Sequence, residues 1–121
     1  MILPTPIVLI AEDEPVVALF LEDLLLELGC RVVVTTGLAQ AVQAARSETI
    51  DVAILDINLN GEQSYPAAAA LLARGIPFGF ASGYGPEGRD PSFADVPVLA
   101  KPYRESQVDQ LLRQLLPSLR G

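Results

Sequence analysis

The stretch Ile7–Glu14, with the sequence IVLIAEDE, decides the class of fold that this chain can adopt. Its first five residues, Ile7–Ala11, form an unbroken apolar run, which is typical of a parallel strand that is buried on both faces. Three acidic residues follow at once, so the strand brings carboxylates to its own carboxyl end. A strand of this kind requires neighbouring strands along its edges and helices over both of its faces.

The same alternation of short apolar runs and helical spacing continues along the chain. Strands are predicted at four further stretches: Arg31–Thr35, Asp51–Asp56, Phe78–Ser82 and Pro97–Ala100. Helices are predicted from Pro15 to a stop at Gly29, from Leu38 to Ala45, over Tyr65–Arg74 and over Glu105–Leu116. The pattern indicates a doubly wound α/β fold, in which helices cover both faces of an open, mostly parallel five-stranded sheet.

The segment Gly83–Asp95 interrupts this alternation. It contains three glycines and two prolines, which disfavour a regular helix. We therefore expect a loop with at most one short helical piece, so that the fourth helix of the fold is short or irregular.

The composition limits the classes of function. The length of 121 residues predicts one domain over residues 1–121. A formal net charge of -7 argues against nucleic-acid binding, which needs clustered Lys and Arg. The chain has no histidine, so a phosphohistidine would have to come from a partner. The single cysteine, Cys30, allows no intrachain disulfide and suits a reducing cytosol.

A cytoplasmic location is expected on two further grounds. The apolar runs are too short to span a bilayer, so no contact with a membrane is predicted. The N-terminus lacks the basic region of a signal peptide.

Polar side chains stand at the carboxyl ends of the predicted strands. In an open parallel sheet, ligands bind in the crevice beyond these ends, near the point where the strand order reverses. The residues concerned are several acids, a hydroxyl and a lysine: Glu12–Glu14, Asp56, Ser82 and Lys101–Pro102.

The acids at these ends predict a magnesium site. Clustered carboxylates repel one another unless a cation lies between them, and Mg²⁺ prefers oxygen ligands. Asp13 and Asp56 are predicted as direct ligands, and Glu12 as a ligand through a water molecule. The backbone carbonyl of Asn58 is predicted as a third protein oxygen. Glu14 is expected to be a solvated residue that opens the first helix.

The same residues predict phosphoryl transfer. An ionised carboxylate can attack phosphorus and form an aspartyl phosphate, and Asp56 is the predicted phosphoacceptor. Lys101 would neutralise charge on the transferring group. Pro102 disfavours helical geometry at Lys101 and could place a cis bond before itself, although a trans bond is the statistical default. Ser82 can donate a hydrogen bond to a phosphoryl oxygen and would then move toward the modified Asp56 as a switch.

The ordered set of motifs resembles the receiver domain of response regulators, over essentially the whole chain. Each motif is common by itself, but the set is specific because the motifs stand in order at four strand ends. The resemblance implies a flavodoxin-like receiver fold with the strand order 2-1-3-4-5. It also implies that the domain takes a phosphoryl group from a histidine kinase or a His-containing phosphotransfer protein. The domain would catalyse this transfer and slowly hydrolyse the product, as a signalling protein rather than a metabolic enzyme.

Two features depart from the family pattern. Val98 stands three residues before Lys101, where the family often has a Tyr or Phe that rotates inward when the hydroxyl moves. The aromatic switch is therefore expected to be absent, or to be replaced by Tyr103 or Tyr84. The loop after Asp56 reads NLNGEQSY instead of beginning with Met-Pro, so we expect its shape to differ.

The stretch Pro77–Gly85, with the sequence PFGFASGYG, resembles a mostly alphaproteobacterial subgroup of receivers. That subgroup carries a Phe-Ala-Thr-Gly-like motif and includes stand-alone regulators linked to stress signalling, and Ser82 replaces the usual Thr here. The chain stops at Gly121 without a DNA-binding or catalytic output segment, so output is expected through contact with a kinase, a phosphotransfer protein or another regulator. The face around Ser82 to Tyr103 is the predicted surface, on a monomer or weak dimer.

Other interpretations compete with these assignments. Ser82 precedes a glycine, so a turn hydroxyl is as good a reading as a ligand group. Tyr84, Tyr103 and Cys30 are more simply packing residues. The whole chain could be a pseudo-receiver, an interaction module that keeps the fold without switching. A metal-dependent hydrolase or a flavin protein ranks lower, because Asn58 replaces the second acid of such a hydrolase and Glu12–Glu14 would repel a flavin phosphate.

Overall fold

The computed structural model describes residues 5–84 and 88–116, and its elements follow the predicted alternation. In chain order, the strands are β1 (Ile7–Ala11), β2 (Arg31–Thr35), β3 (Val52–Asp56), β4 (Asn58–Leu59), β5 (Glu62–Gln63), β6 (Phe78–Ser82) and β7 (Val98–Ala100). The helices are α1 (Pro15–Glu27), α2 (Leu38–Ser47), α3 (Tyr65–Ala73) and α4 (Glu105–Leu115).

Five of the strands form one parallel sheet in the order β2-β1-β3-β6-β7. Since β4 and β5 pair only with each other in a two-stranded sheet, this is the predicted order 2-1-3-4-5. The order reverses between β1 and β3. The carboxyl ends of these two strands, which carry Asp13 and Asp56, therefore flank the crevice that such a reversal creates.

The core lies on both faces of the sheet, because successive side chains of a strand point to opposite faces. Leu9 of β1 packs in the cluster that α2 and α3 cover, and Val8 and Ile10 pack in the cluster under α1 and α4. Every residue of β3 and β6 is buried. This double burial explains why these strands read as apolar runs rather than as an alternating pattern.

Several predicted boundaries were wrong by one residue. The third strand begins at Val52, and the Asp51 carboxylate before it accepts a hydrogen bond of 2.8 Å from the backbone N–H of Ile7. The last strand begins at Val98 rather than at Pro97, which has no N–H to offer to a sheet. The helices α3 and α4 end one residue earlier than predicted.

The segment after β6 has the irregular form that its glycines and prolines predict. Residues 85–87 of it lie outside the described residues. The described part contains a three-residue 3₁₀ turn, Pro91–Phe93. The Asp90 carboxylate caps this turn by accepting hydrogen bonds from the N–H and the hydroxyl of Ser92, which lower the pKa of Asp90. Among the described residues, no helix has the length and apolar character needed to cross a membrane.

Candidate functional site

Lys101 joins the ends of β1 and β3 through its ammonium group. Its Nζ lies 2.8 Å from Oδ2 of Asp56 and 2.8 Å from Oε1 of Glu12. Both carboxylates are buried, and Lys101 is partly exposed at the end of β7. The Lys101–Pro102 peptide bond is cis. The structure thus brings together three of the residues that the sequence places at different strand ends.

Burial and charge shift the ionisation of this group in opposite directions. Burial raises the pKa of Glu12 to about 7, although the hydrogen bond from Lys101 acts against it. Burial alone would lower the pKa of Lys101, but the hydrogen bonds to Asp56 and Glu12 outweigh it and hold that pKa above its ordinary value. The ammonium group therefore stays charged at neutral pH, between two acids that need a counterion.

Asp13 completes a cluster that can hold a metal ion. One carboxylate oxygen from each of Glu12, Asp13 and Asp56 lies within 4.8 Å of the others. The donor set consists of hard oxygen atoms, the type that Mg²⁺ and Ca²⁺ prefer. Asp13 is half-buried, so the cluster opens toward solvent on its side. The residues present fit a divalent cation that keeps part of its hydration shell.

The loop after Asp56 is a β-hairpin, which we did not predict. Its strands β4 and β5 are joined by Asn60 and Gly61, whose φ angles are 55° and 85°. Two successive residues with positive φ are what a two-residue type I′ turn requires, and Asn-Gly is its preferred sequence. The dipeptide itself was the signal that could have revealed the hairpin.

This hairpin reaches the acidic cluster. The backbone N–H of Asn60 donates a hydrogen bond of 3.0 Å to Oδ2 of Asp13. The side chain of Asn58 is occupied within the turn, where its Oδ1 accepts a bond of 2.7 Å from the N–H of Gly61. Asn58 also lines the cleft beside Asp56, where its carbonyl as a metal ligand stays a prediction.

Ser82 stands on the other wall of the same cleft. The cleft has a volume of about 470 Å³, and Asp56, Ser82 and Gly88 are among its lining residues. Ser82 is buried, and its Oγ accepts a hydrogen bond of 3.0 Å from the N–H of Tyr84. A Cβ atom added to Gly88 would lie 2.7 Å from this Oγ, so the loop packs directly against the hydroxyl. Ser82 is thus placed between Asp56 and the loop that follows.

Tyr65, at the start of α3, holds that loop and has no counterpart among the predicted site residues. Its hydroxyl accepts a hydrogen bond of 2.8 Å from the N–H of Asp90 and lies 3.4 Å from the carbonyl of Gly88. Its ring is stacked on Phe93 at 5.2 Å and meets the edge of Phe80 at 5.7 Å. No short sequence pattern reveals such a residue, because its partners lie fifteen or more positions away.

The aromatic residues near the site differ in their surroundings. Val98 is half-buried and packs on the cluster that contains Phe80. Tyr103 is a packing residue, as predicted, because only 6% of it is exposed and its ring is stacked with Phe20. The prediction that Tyr84 packs in a partly buried position was wrong, since 84% of Tyr84 is exposed beside two glycine neighbours. Buried Cys30 is the small packing residue that the sequence predicts.

The comparison with protein families decides the assignment of this fold and site. The model of the response regulator receiver domain matches residues 8–77, which is more than half of the chain. The chain belongs to the response regulator receiver domain family. Such domains act in two-component signalling. The matched part of this receiver contains Glu12, Asp13 and Asp56, and it ends before Ser82 and Lys101.

Solved structures of receivers extend the similarity over nearly the whole chain. SdrG from Sphingomonas melonis Fr1 is 44% identical, with a TM-score of 0.82, and the alignment covers 93% of this chain and 97% of SdrG. The receiver domain of PhyR from Erythrobacter litoralis is 30% identical, with a TM-score of 0.79 and coverage of 93% and 90%.

A third structure shares the fold at lower identity. It is the receiver domain of a sensor histidine kinase from Pseudomonas aeruginosa, with a magnesium ion in its active-site cleft. It is 24% identical, with a TM-score of 0.82 and coverage of 94% of this chain and 99% of that one. No match is found among curated proteins.

Proposed function

We propose that this receiver accepts a phosphoryl group on Asp56 from a phosphohistidine and passes the signal on by protein contact. The donor would be a histidine kinase or a His-containing phosphotransfer protein. The observation that carries the proposal is the placement of Asp56: its carboxylate is buried at a strand end, opens on a cleft and is held by Lys101 at 2.8 Å. A buried carboxylate with a fixed cation and two neighbouring acids is arranged as an activated nucleophile rather than as a surface charge.

In phosphoryl transfer, the protein contributes mainly by positioning the reacting groups and by stabilising their charge. An oxygen of the Asp56 carboxylate attacks phosphorus, and the bond between phosphorus and the donor imidazole nitrogen breaks. The electron pair of that bond leaves with the imidazole. Lys101, already in contact with Oδ2 of Asp56, would donate to a phosphoryl oxygen and balance its charge.

The acidic cluster would hold the magnesium ion that such chemistry needs. Asp13 and Asp56 would bind it directly, Glu12 through a water molecule, and Asn58 through its backbone carbonyl. When bound, Mg²⁺ neutralises charge that develops on the transferring group. Water would later attack the phosphorus, and the bond between phosphorus and the Asp56 oxygen would break, which releases phosphate and regenerates the carboxylate.

Ser82 would connect the modification to the surface. Its hydroxyl lies on the cleft wall and can donate to a phosphoryl oxygen on Asp56. Movement toward Asp56 would break its contact with the N–H of Tyr84 and leave space beside Gly88. The loop after β6 would then change shape, which gives a kinase, a phosphotransfer protein or another regulator a surface to distinguish. A monomer or weak dimer in the cytoplasm is sufficient for this role.

Phosphorylation by a small donor tests the proposal. The receiver is incubated with Mg²⁺ and acetyl phosphate, and its intact mass is measured. We expect wild type to gain one phosphoryl group, and Asp56→Asn to gain none. Asp95→Asn removes an exposed acid from the same protein and should be modified like wild type. Beryllofluoride, which mimics an acyl phosphate, should shift the amide resonances of wild type and not those of Asp56→Asn. Modification that persists in Asp56→Asn would refute the assignment.

A pseudo-receiver is the second candidate, and the half-buried Val98 in the usual aromatic position favours it. Such a module would keep the fold as a fixed interaction surface. Titration with Mg²⁺ separates the two functions. A pseudo-receiver should show no change at the amides of Asp13 and Asp56, whereas a phosphoacceptor should show saturable shifts at both.

A further inference from the structure

The hairpin β4–β5 contacts the one acid of the cluster that Lys101 does not hold. Lys101 makes ion pairs with Glu12 and Asp56. Asp13 instead receives its hydrogen bond from the backbone N–H of Asn60, at the tip of the hairpin. One oxygen of the Asp13 carboxylate is thereby tied to the hairpin, and one Asp13 oxygen lies within 4.8 Å of carboxylate oxygens of Glu12 and Asp56. Metal-ligating carboxylates are commonly oriented by a hydrogen bond of this kind.

The direction of the Asn60 N–H depends on its backbone conformation. The φ angle of Asn60 is 55°, in the left-handed region that Asn adopts more readily than most residues. A β-branched residue is strongly disfavoured there. A glycine accepts this φ without strain and retains the N–H. The donor to Asp13 can therefore be disturbed or preserved by substitutions at one position.

The rest of the hairpin is anchored, so its tip can hold a fixed position. Leu59 is fully buried in the core. The N–H of Ser64 donates to the carbonyl of Ile57 at 2.8 Å and closes the base of the hairpin. The side chain of Asn60 donates to the carbonyl of Thr36 at 3.3 Å, which ties the tip to the end of β2.

We propose that Asn60 is a positioning residue for the metal site: its backbone N–H orients the Asp13 carboxylate toward the cation. This inference rests on the proposed function, because it requires that the acidic cluster binds Mg²⁺. It adds a group that the sequence motifs do not contain, and it gives the hairpin after Asp56 a role at the metal site. The effect belongs to metal binding and not to the transfer step.

The test is a Mg²⁺ titration of the full chain, followed by the amide resonances of residues 12–14 and 56–58. The variants are Asn60→Val, which disfavours the left-handed turn, and Asn60→Gly, which preserves the turn and its N–H. Thermal unfolding of both variants, followed by circular dichroism, shows that they are folded. We expect Asn60→Val to bind Mg²⁺ about 10-fold more weakly than wild type, and Asn60→Gly to stay within about twofold.

Each outcome of the titration has a distinct meaning. If folded Asn60→Val binds Mg²⁺ as tightly as wild type, the inference is wrong while the proposed function stands. If Asn60→Gly is weakened as much as Asn60→Val, the side-chain contact with Thr36 and not the N–H is responsible, which also overturns it. If wild type binds no Mg²⁺ at all, both proposals fail.

A measurement on the intact turn covers the case in which Asn60→Val does not fold. In Asp13→Ala, the amide proton of Asn60 loses its acceptor, so its resonance should move upfield and its exchange with solvent should become faster. An Asn60 amide that is unchanged in Asp13→Ala would show that the hydrogen bond is not formed in solution, and the inference would fall.

Discussion

Two regions that border Asp56, at the end of the central strand β3, are built from different kinds of contact. In the acidic cluster, charged groups meet: Glu12 and Asp56 share Lys101, which reaches them from the end of β7, and Asp13 accepts a hydrogen bond from a backbone N–H of the hairpin. In the loop after β6, the contacts are made by a hydroxyl, a glycine and aromatic rings.

These two kinds of contact suit two different tasks, the binding of charged ligands and a change of conformation. Charged groups in fixed positions are suited to hold a cation and a phosphoryl group, because their interaction is strong and needs no rearrangement. The contacts around Ser82 depend on shape and on single hydrogen bonds, each with a net contribution of about 1 kcal/mol. A region held in this way can change conformation when one group moves. Substitutions in each region should therefore affect different measurements.

Replacing Lys101 gives the largest expected effect, and it should separate binding from chemistry. In Lys101→Met, phosphorylation by acetyl phosphate is expected to slow by about 100-fold, because a charge that stabilises the transferring group is lost. Mg²⁺ should bind at least as tightly as in wild type, since a competing cation has left the cluster. Initial rates and a Mg²⁺ titration measure the two effects. Arg104→Met, which removes an exposed cation nearby, is the control and should change neither.

Replacing Tyr65 tests the loop after β6, and its expected effect is smaller than that of replacing Lys101. Tyr65→Phe keeps the ring contacts but removes the acceptor for the N–H of Asp90. We expect amide exchange at Asp90 to be faster by a factor of about five, which corresponds to one hydrogen bond of about 1 kcal/mol.

The control for this substitution is Tyr84→Phe, which removes the hydroxyl of an exposed tyrosine near the same loop and should leave the exchange unchanged. Mg²⁺ affinity should be the same in both variants. Unchanged exchange at Asp90 in Tyr65→Phe would show that this hydroxyl does not hold the loop.

The titration of Tyr103 should have no effect at neutral pH, because its consequence for stability is confined to alkaline pH. Burial raises the pKa of Tyr103 to about 12, from an ordinary value of 10.0. Between these two pKa values the folded protein keeps a proton that the unfolded chain has lost. The free energy of unfolding therefore decreases as the pH rises through this interval.

Tyr103→Phe should remove this part of the decrease and leave stability at neutral pH nearly unchanged. Urea unfolding at several alkaline pH values measures the decrease in the free energy of unfolding, and tyrosinate absorbance follows the ionisation of Tyr103 directly. If Tyr103 ionises near its ordinary pKa of 10.0, its hydroxyl is not shielded from water.

The parallel sheet could be predicted because double burial leaves a clear mark in the sequence. The runs at Ile7–Ala11 and Phe78–Ser82 are apolar or small throughout, and glycines and prolines punctuate what lies between. The strand order came from the resemblance and is confirmed. The one-residue error at Pro97 has a local cause that periodicity does not register, namely a missing backbone N–H.

The site was predictable where its residues are charged and stand at strand ends. The convergence of Glu12, Asp13, Asp56 and Lys101 follows from topology, because parallel strands bring their carboxyl ends to one edge. The roles of Tyr65 and of the Asn60 N–H could not be predicted from the sequence. Each depends on a three-dimensional contact between distant parts of the chain, and a backbone N–H carries no residue-specific signal at all.

The hairpin tip has a mechanical consequence for the domain. Asn60 connects the segments that follow β1, β2 and β3, since it contacts Asp13, contacts Thr36 and stands four positions beyond Asp56. Hydrogen bonds join these three segments, whereas the described part of the segment after β6 is held by the hydroxyl of Tyr65 and by the packing of Phe93 on aromatic rings. We expect the segment after β6 to deform more easily than the hairpin, so that a change at Asp56 displaces that segment. The direction in which the signal travels would then be set by stiffness.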